Sequence, residues 1–334
     1  MSLETSPKIV IMGAGAVGSL FGGLLAQAGK DVTLIGSAEH VKAIQQDGLH
    51  LDGVLGEMTI RLPAAEQLTF KPDIVLLAVK SPDVVAACRH MAPYLADVPI
   101  LTLQNGVTSD RMAGNIVGEH QVIGGIVLFN ARFFKPGHVT YLKRGAFVIG
   151  EAFQENGARA RDIRDMLNQA TPTTLCSNMQ GACWTKLLLN LYSNSLEAMT
   201  GERLQVCLNH PGMGRVGILI LKEALRVMEH AKIKLASLPG IPISMLKLII
   251  KSPRPVASRI FRVITNEADT FTSTLQSLLR GRPSEIGFLN GEIVKLGQRI
   301  HVATPYNSKV VDLIREIEST HQFFPPSHVE QLFY

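Results

Sequence analysis

The feature that most constrains the fold is a glycine-rich turn near the start of the chain. It reads Gly13-Ala14-Gly15-Ala16-Val17-Gly18, and it lies between the apolar run Ile9–Met12 and a helix-compatible stretch, 19–28. A GxGxxG turn between a strand and a helix lets a pyrophosphate approach the backbone, and the first N–H groups of the helix attract phosphate. With a second apolar run at 31–35, the pattern favours a dinucleotide-binding unit over an ordinary tight turn.

Further apolar runs continue the alternation of strands and helices through the first half of the chain. The runs at 73–79, 99–103 and 122–128 are almost continuously apolar, as is typical of parallel strands buried on both faces. Two later runs, 138–141 and 147–150, predict two more strands, arranged as an antiparallel hairpin. A helix over 159–167 and a strand over 173–176 complete the prediction of a doubly wound α/β domain.

From about residue 180 the apolar residues recur with helical spacing. The predicted helices cover 184–199, 216–231, 272–279, 285–301 and 308–320. Asn307 is a candidate cap for the last helix, and the basic, proline-rich stretch 238–262 predicts a loop with a short helix and a solvated charged face. The predicted fold is therefore a Rossmann-type α/β N-terminal domain, 1–178, followed by an all-α C-terminal domain, 179–334, for substrate binding and dimerisation.

Composition excludes several classes of protein. Of the 334 residues, 46% are hydrophobic and 18% are charged, as in a globular protein with a large core. The net charge of +5 comes without a long basic run, so no nucleic-acid partner is predicted. The four cysteines form no CxxC pair and the ten histidines form no HxxxH or HExxH, which indicates reduced thiols in a cytoplasm and predicts no metal site. No segment predicts a membrane span.

Polar residues occur at positions where burial would make them costly. Lys186, Asn190 and Asn194 recur every four residues in an otherwise apolar helix, so they form one stripe. The stripe suits either a wet cavity with a ligand or a set of internally paired polar residues. Asn105 follows a predicted strand, at the sheet edge where ligands of α/β proteins bind, although an Asn-Gly pair is also common in simple turns.

Three other polar residues have both a functional and a structural interpretation. Lys80 ends a predicted strand, where it would face either a cofactor or solvent. Glu285 and Ser273 each stand at a predicted helix start, where such residues are favourable without any catalytic role.

In one order along the chain, these motifs resemble the ketopantoate reductase (2-dehydropantoate 2-reductase) family. The series covers nearly the whole chain: GAGAVG at 13–18, VK at 79–80, QNG at 104–106, K-x3-N-x3-N at 186–194, S-x-LQ at 273–276, R-x2-EI at 282–286, NG at 290–291 and ATPYN at 303–307.

The resemblance implies reduction of 2-dehydropantoate to pantoate with NADPH rather than NADH, in pantothenate biosynthesis. It implies Lys186 as the general acid, with Glu285 as the second catalytic residue. It further implies substrate contacts from Asn105, Asn190, Asn194 and Ser273. The implied cofactor contacts come from Gly13, Ala14, Gly15, Ala16, Val17, Gly18, Ser37, Lys80, Asn105 and Glu285. A homodimer is an open expectation.

The chain departs from the family pattern at three positions. Ser37 stands where the family usually carries an arginine for the 2′-phosphate of NADP, so Ser37 with His40 or Lys42 is the candidate replacement. Ser277 and Gly287 replace two carboxylates near the substrate end. These changes leave two alternatives open: a reductase of another branched or hydroxylated 2-oxo acid, and a cofactor-binding sensor without turnover.

Overall fold

The computed structural model describes residues 6–265 and 271–334, and the chain divides into two compact units. The first unit comprises the residues up to Gln104 together with Thr108–Gln180. The second comprises Asn105–Val107 and Gly181–Tyr334. The short segment Asn105–Val107 thus belongs with the later residues, whereas the predicted division at residue 178 places it in the first domain.

The first unit contains two β-sheets. The strands are β1 Lys8–Met12, β2 Asp31–Ile35, β3 Leu49–Gly53, β4 Met58–Ile60, β5 Ala64–Ala65, β6 Ile74–Leu77, β7 Ile100–Thr102, β8 Val122–Val127, β9 Asn130–Lys135, β10 His138–Lys143, β11 Phe147–Glu151 and β12 Thr173–Leu175. The helices are α1 Ala16–Gln27, α2 Ala38–Asp47, α3 Val84–Met91, α4 Ser109–Val117 and α5 Ala158–Leu167.

The larger sheet has the order β12-β11-β8-β7-β6-β1-β2-β5. Neighbouring strands in this sheet are parallel, except that β11 runs antiparallel to β8. The chain leaves β1 toward β2 on one side and returns to β6 on the other, which makes the β1–β6 boundary a topological switch point. Ligands of open α/β sheets bind at such a point, outside the carboxyl ends of the strands.

Burial on both faces explains why the central strands of this sheet are almost continuously apolar. Ile9 and Ile11 of β1 enter the core cluster that contains Phe21 of α1, whereas Val10 enters the cluster that contains Val84 of α3. Alternate residues of a strand point to opposite faces, so helices cover the sheet on both sides. The predicted α/β Rossmann-type domain is confirmed.

The predicted hairpin at 138–150 is wrong. β10 pairs with β3 and β9 in a separate sheet of order β4-β3-β10-β9, whereas β11 joins the larger sheet beside β8. Helix α1 packs between the two sheets and contacts β9 and β10 as well as β2. Strands β3, β4 and β9 of the smaller sheet were not predicted, because they are partly exposed and polar residues interrupt their apolar sequence.

The second unit is helical, as predicted. Its helices are α6 Met179–Thr200, α7 Leu204–Asn209, α8 Met213–His230, α9 Ile243–Lys251, α10 Arg254–Thr265, α11 Ser273–Leu279, α12 Asn290–Arg299, α13 Pro305–Thr320 and α14 Pro326–Phe333. Helix α8 is central, since it contacts α7, α9, α10, α12, α13 and α14. Among the described residues, none of the helices combines the length and the apolar character that crossing a membrane requires.

Three helix boundaries differ from the prediction. The stretch 238–262 contains two helices, α9 and the greater part of α10, rather than a loop with one short helix. The predicted helix 285–301 begins only at Asn290, after a 3-10 turn over Ile286–Phe288. Asn307 does not cap the last helix, because α13 begins at Pro305 and Asn307 lies buried inside it.

Candidate functional site

The glycine-rich turn lies at the switch point, between β1 and β6. The backbone N–H groups of Gly13 and Ala14 both donate to the Ile35 carbonyl, at 3.0 and 2.8 Å. Gly13 has φ of +105°, and a Cβ at this position would lie 2.5 Å from the Val79 backbone nitrogen. Only glycine combines this conformation with this close approach, so Gly13 fixes the turn against the end of β6.

The turn is open at Gly15 and tightly packed at Gly18. A Cβ on Gly15 would meet no atom within 4 Å, whereas a Cβ on Gly18 would lie 2.2 Å from the Gly13 carbonyl oxygen. Helix α1 begins at Ala16, three residues earlier than predicted, and its first turn has no acidic residue. The N–H groups of Ala16 and Val17 have no partner within the helix, so the open side offers donors and a positive dipole end to an anion. This cradle fits a pyrophosphate.

The residues after β2 offer one charged candidate for a 2′-phosphate. Ser37 is exposed in extended backbone at the start of α2, and Lys42 on the same helix is exposed. His40 is buried, and its Nδ1 accepts a 2.8 Å bond from the Gly137 N–H, while its Nε2 lies 2.9 Å from the Ser19 hydroxyl. Burial lowers the pKa of His40 to about 4. This neutral, internally bonded ring is unsuited to a phosphate.

Gln104 fixes the end of β6, and sequence analysis gave it no role. Its side-chain amide donates to the Leu77 carbonyl at 2.7 Å and to the Val79 carbonyl at 2.9 Å.

Lys80, the residue after Val79, is exposed and precedes a 3-10 turn over Ser81–Asp83. Its position after a switch-point strand was the signal that identified it.

Lys186 lies on α6 in the helical unit and is half-buried. Burial lowers the pKa of its ammonium group to about 8. No ion pair or hydrogen bond involves Lys186 within the described ranges. A lysine that titrates near neutral pH is suited to proton transfer.

One helical turn from Lys186, the buried side chain of Asn190 reaches the segment that follows β7. The Asn190 amide donates to the Asn105 side-chain oxygen at 3.3 Å. The next residue, Gly106, has φ of +101°, and a Cβ on it would lie 2.7 Å from the Phe288 carbonyl oxygen. The predicted residues Asn105 and Asn190 are therefore brought together, against the turn that follows Glu285.

Asn194 has a different environment from the one predicted. Its side-chain oxygen accepts 2.8 and 3.4 Å bonds from the hydroxyl and the N–H of Thr274, and its amide donates to the Asn190 carbonyl at 3.1 Å. The oxygen is thus used to hold the start of α11. Ser273, the first residue of that helix, is exposed. Asn194 therefore holds the start of α11, where Ser273 lies, and its contact with the substrate stays a prediction.

Glu285 and the two positions that depart from the family pattern, Ser277 and Gly287, differ in their surroundings. Glu285 is half-buried and immediately precedes the 3-10 turn, whose Phe288 N–H donates to the Glu285 carbonyl at 2.8 Å. Ser277 is buried and donates to the Ser273 carbonyl at 3.0 Å. Gly287 is half-buried, with no atom within 4 Å of a Cβ built there. Neither Ser277 nor Gly287 supplies a charge.

Glu197, a buried carboxylate on the same face of α6 as Lys186, was not predicted from the sequence. Glu197 is 1% exposed and accepts backbone bonds from Thr272 at 2.7 Å and Leu204 at 3.2 Å, so it joins α6 to the starts of α11 and α7. Burial raises the pKa of Glu197 to about 7. It stands eleven residues after Lys186, a spacing that returns to the same face after three turns, which is the signal that would have found it.

Two family models and one relative of this chain all indicate the same family. A family model described as "Ketopantoate reductase PanE/ApbA" matches residues 9–154. A second, "Ketopantoate reductase PanE/ApbA C terminal", matches 178–318. A 2-dehydropantoate 2-reductase of Pyrococcus horikoshii is 29% identical over 318 residues, covering 93% of this chain and 98% of the relative.

Solved structures agree with the family models. A PanE/ApbA family ketopantoate reductase from Ralstonia eutropha is 32% identical, with a TM-score of 0.81 over 94% of this chain and 99% of that one. A D-mandelate dehydrogenase with NADH and anilino(oxo)acetate has a TM-score of 0.82 at 24% identity, over 94% and 99% of the two chains, which shows the shared fold. The chain belongs to the ketopantoate reductase family.

Proposed function

We propose that this chain reduces 2-dehydropantoate to pantoate with NADPH, and that Lys186 is the general acid. The observation that carries the proposal is the half-buried Lys186, without a counterion in the described residues and with a pKa near 8, one turn from Asn190. The names of the relatives support the same substrate.

The cofactor contacts follow from the cradle at the switch point. The backbone of residues 13–18 holds the pyrophosphate at the open side of Gly15. Ser37, with Lys42, is the proposed contact for the 2′-phosphate, and Lys80, Asn105 and Glu285 are the remaining proposed contacts. NADPH supplies the hydride to the carbonyl carbon of the substrate.

Lys186 supplies the proton. As the carbonyl carbon gains a hydride, its oxygen develops negative charge, which the ammonium group stabilises before it transfers a proton to that oxygen. The products are the 2-hydroxy acid, the oxidised cofactor and a neutral lysine, which solvent reprotonates. A pKa near 8 leaves most of the lysine protonated at pH 7 and makes it a stronger acid than an ordinary lysine.

The surrounding residues orient the reactants. We assign Asn105 and Asn190 to substrate hydroxyl and carbonyl groups, and Ser273 to the substrate carboxylate. Asn194 acts on Ser273 through Thr274. Glu285 is assigned to the terminal hydroxyl of the substrate as well as to the cofactor.

Four further expectations belong to this proposal. Residues 1–178 serve as the cofactor domain and residues 179–334 as the substrate and dimerisation domain. The reaction is expected to take place in the cytoplasm, in keeping with four cysteines that form no disulfide bond. Analytical ultracentrifugation tests the expected homodimer, and retention on DNA at low salt would contradict the expected lack of a nucleic-acid partner.

A substrate panel tests the proposal. NADPH oxidation followed at 340 nm should give the highest kcat/KM with 2-dehydropantoate, against a branched 2-oxo acid without the hydroxyl and an aromatic 2-oxo acid. The aromatic acid is included because the D-mandelate dehydrogenase shares the fold.

A different 2-oxo acid is the second candidate. Ser277 and Gly287 leave the substrate end without the two carboxylates of the family pattern, and the Ser277 hydroxyl is bonded to the Ser273 carbonyl. A kcat/KM at least tenfold higher for another panel member would favour this candidate. Cofactor binding without any turnover would favour the non-catalytic sensor.

A further inference from the structure

We propose that His50, Asp52 and His138 form a binding site for one divalent transition-metal ion, with Zn²⁺ as the natural fit. The site lies in the smaller sheet and is independent of the proposed reductase function. Strands β3 and β10 pair in parallel with His138 opposite His50. Asp52, two residues after His50, points to the same face of the sheet as His50.

The three side chains already approach one another. His138 Nε2 lies 2.8 Å from Asp52 Oδ2, and the rings of His50 and His138 are 4.4 Å apart between centroids. One potential ligand atom from each of the three residues lies within 4.8 Å of the other two. The second carboxylate oxygen, Asp52 Oδ1, is buried and accepts no hydrogen bond in the part of the chain that the structure describes.

The donor set selects the class of ion. Two imidazole nitrogens and one carboxylate suit Zn²⁺, and Co²⁺ takes the same ligands. With metal–ligand bonds of about 2.0–2.1 Å, tetrahedral ligand atoms lie roughly 3.3 Å apart, so the cluster must contract by rotation of side chains. His50 is the residue free to rotate, since its Nδ1 makes only a 3.4 Å contact with the Thr59 hydroxyl.

The partial exposure of the cluster leaves room for a fourth ligand. The side chains of His138 and Asp52 are 16% and 27% exposed, so water can complete the coordination. The ion would replace the hydrogen-bonded proton between His138 and Asp52 and tie β3 to β10, which stabilises the smaller sheet. The spacings HxxxH and HExxH cannot include ligands from two strands more than 80 residues apart, so no sequence motif indicated this cluster.

Metal titration of the full chain tests the site. After chelator treatment and removal of the chelator, Zn²⁺ should bind at one equivalent per chain in calorimetry and raise the Tm. Co²⁺ should give the visible absorption bands of a tetrahedral complex. His50→Gln should weaken Zn²⁺ binding at least tenfold with the metal-free Tm unchanged, because His50 contributes little to folding. Asp52→Asn and His138→Gln should weaken binding further.

His120→Gln is the matched control, since His120 is an exposed histidine 3.9 Å from Asp97. It should leave the affinity unchanged. The proposal is overturned if the wild-type chain binds no stoichiometric Zn²⁺, or if binding persists unchanged in His50→Gln and Asp52→Asn, which would place the metal elsewhere.

Discussion

The Asn190 side-chain amide donates a 3.3 Å hydrogen bond to the Asn105 side-chain oxygen, across 85 residues of sequence. This bond, with the close approach of Gly106 to Phe288, links the segment Asn105–Val107 to the helical unit, although the segment directly follows the β7 region. It also brings together two residues for which substrate contacts were predicted, and Asn190 lies one helical turn from Lys186 on α6.

The rate of reduction should depend on pH through Lys186. Its pKa near 8 means that the protonated form, which the reaction requires, disappears as the pH rises through 8. Because this pKa is that of the chain without substrate, we expect log kcat/KM to be level below about pH 7.5 and to fall by about one for each pH unit above 8. A break near the ordinary lysine value of 10.5, or no break, would argue against Lys186 as the acid.

Gly15 should contribute to cofactor affinity, whereas a glycine with the same local geometry elsewhere in the chain should not. Gly15 and Gly157 are both exposed N-cap residues with extended backbone, and a Cβ on either meets no atom within 4 Å. Gly15→Val should raise the Kd for NADPH at least tenfold, because the side chain enters the space proposed for the pyrophosphate. Gly157→Val, the matched control, should change only Tm, and by the same amount as Gly15→Val. Equal cofactor affinities in the two variants would refute this use of the turn.

Ser37→Arg should shift the cofactor preference further toward NADPH. Ser37 is exposed directly after β2, and a guanidinium there can bind the 2′-phosphate in a bidentate manner. The ratio of Kd values for NADH and NADPH, measured by fluorescence titration, should rise at least tenfold. Ser37→Gln should leave it nearly unchanged. An unaltered ratio in both variants would show that residue 37 does not face the 2′ position.

Glu197 should make the stability of the chain fall as the pH rises. Its pKa of about 7 in the folded chain exceeds the ordinary value of 4.5. The contribution of Glu197 to the free energy of unfolding is therefore fully present below pH 4.5 and is lost as the pH rises through 7. The loss is on the order of 3 kcal/mol.

Glu197→Gln isolates that contribution. His40, whose pKa is lowered, changes stability in the opposite direction and is common to both proteins. The free energy of unfolding of the wild type minus that of the variant, from urea titrations between pH 5 and 8, should therefore decrease as the pH rises. A difference that does not vary with pH would show that Glu197 is ionised throughout.

The Rossmann topology was predictable because its strands are buried on both faces. The run at 74–77 is entirely buried, so its sequence is apolar without interruption. β10 and β11 look alike as sequences, but their partners are set by contacts with β3 and β8. No local pattern determines that choice.

Prolines explain two of the wrong helix boundaries. Pro242 and Pro253 favoured a loop over 238–262, yet α9 begins directly after Pro242 and α10 directly after Pro253. Pro305 likewise occupies the first position of α13. A proline is tolerated at a helix start, where its missing N–H costs nothing. These prolines therefore mark the starts of helices and do not interrupt them.

The composition of the site was easier to predict than its internal bonding. The four-residue spacing placed Lys186, Asn190 and Asn194 on one face, as the helix requires. The spacing could not reveal that Thr274 takes the Asn194 oxygen, or that the Asp52–His138 pair forms between two strands. Both depend on contacts between segments far apart in sequence.

The most direct measurement is the NADPH oxidation rate with 2-dehydropantoate for the wild-type chain, Lys186→Ala and Lys71→Ala, with NADPH affinity measured in parallel. Lys71 is an exposed lysine and serves as the control. We predict that Lys186→Ala lowers kcat by about 10²–10⁴-fold while its Kd for NADPH stays within twofold of wild type, and that Lys71→Ala matches wild type in both. A kcat in Lys186→Ala within a few-fold of wild type would contradict the assignment of Lys186 as the proton donor.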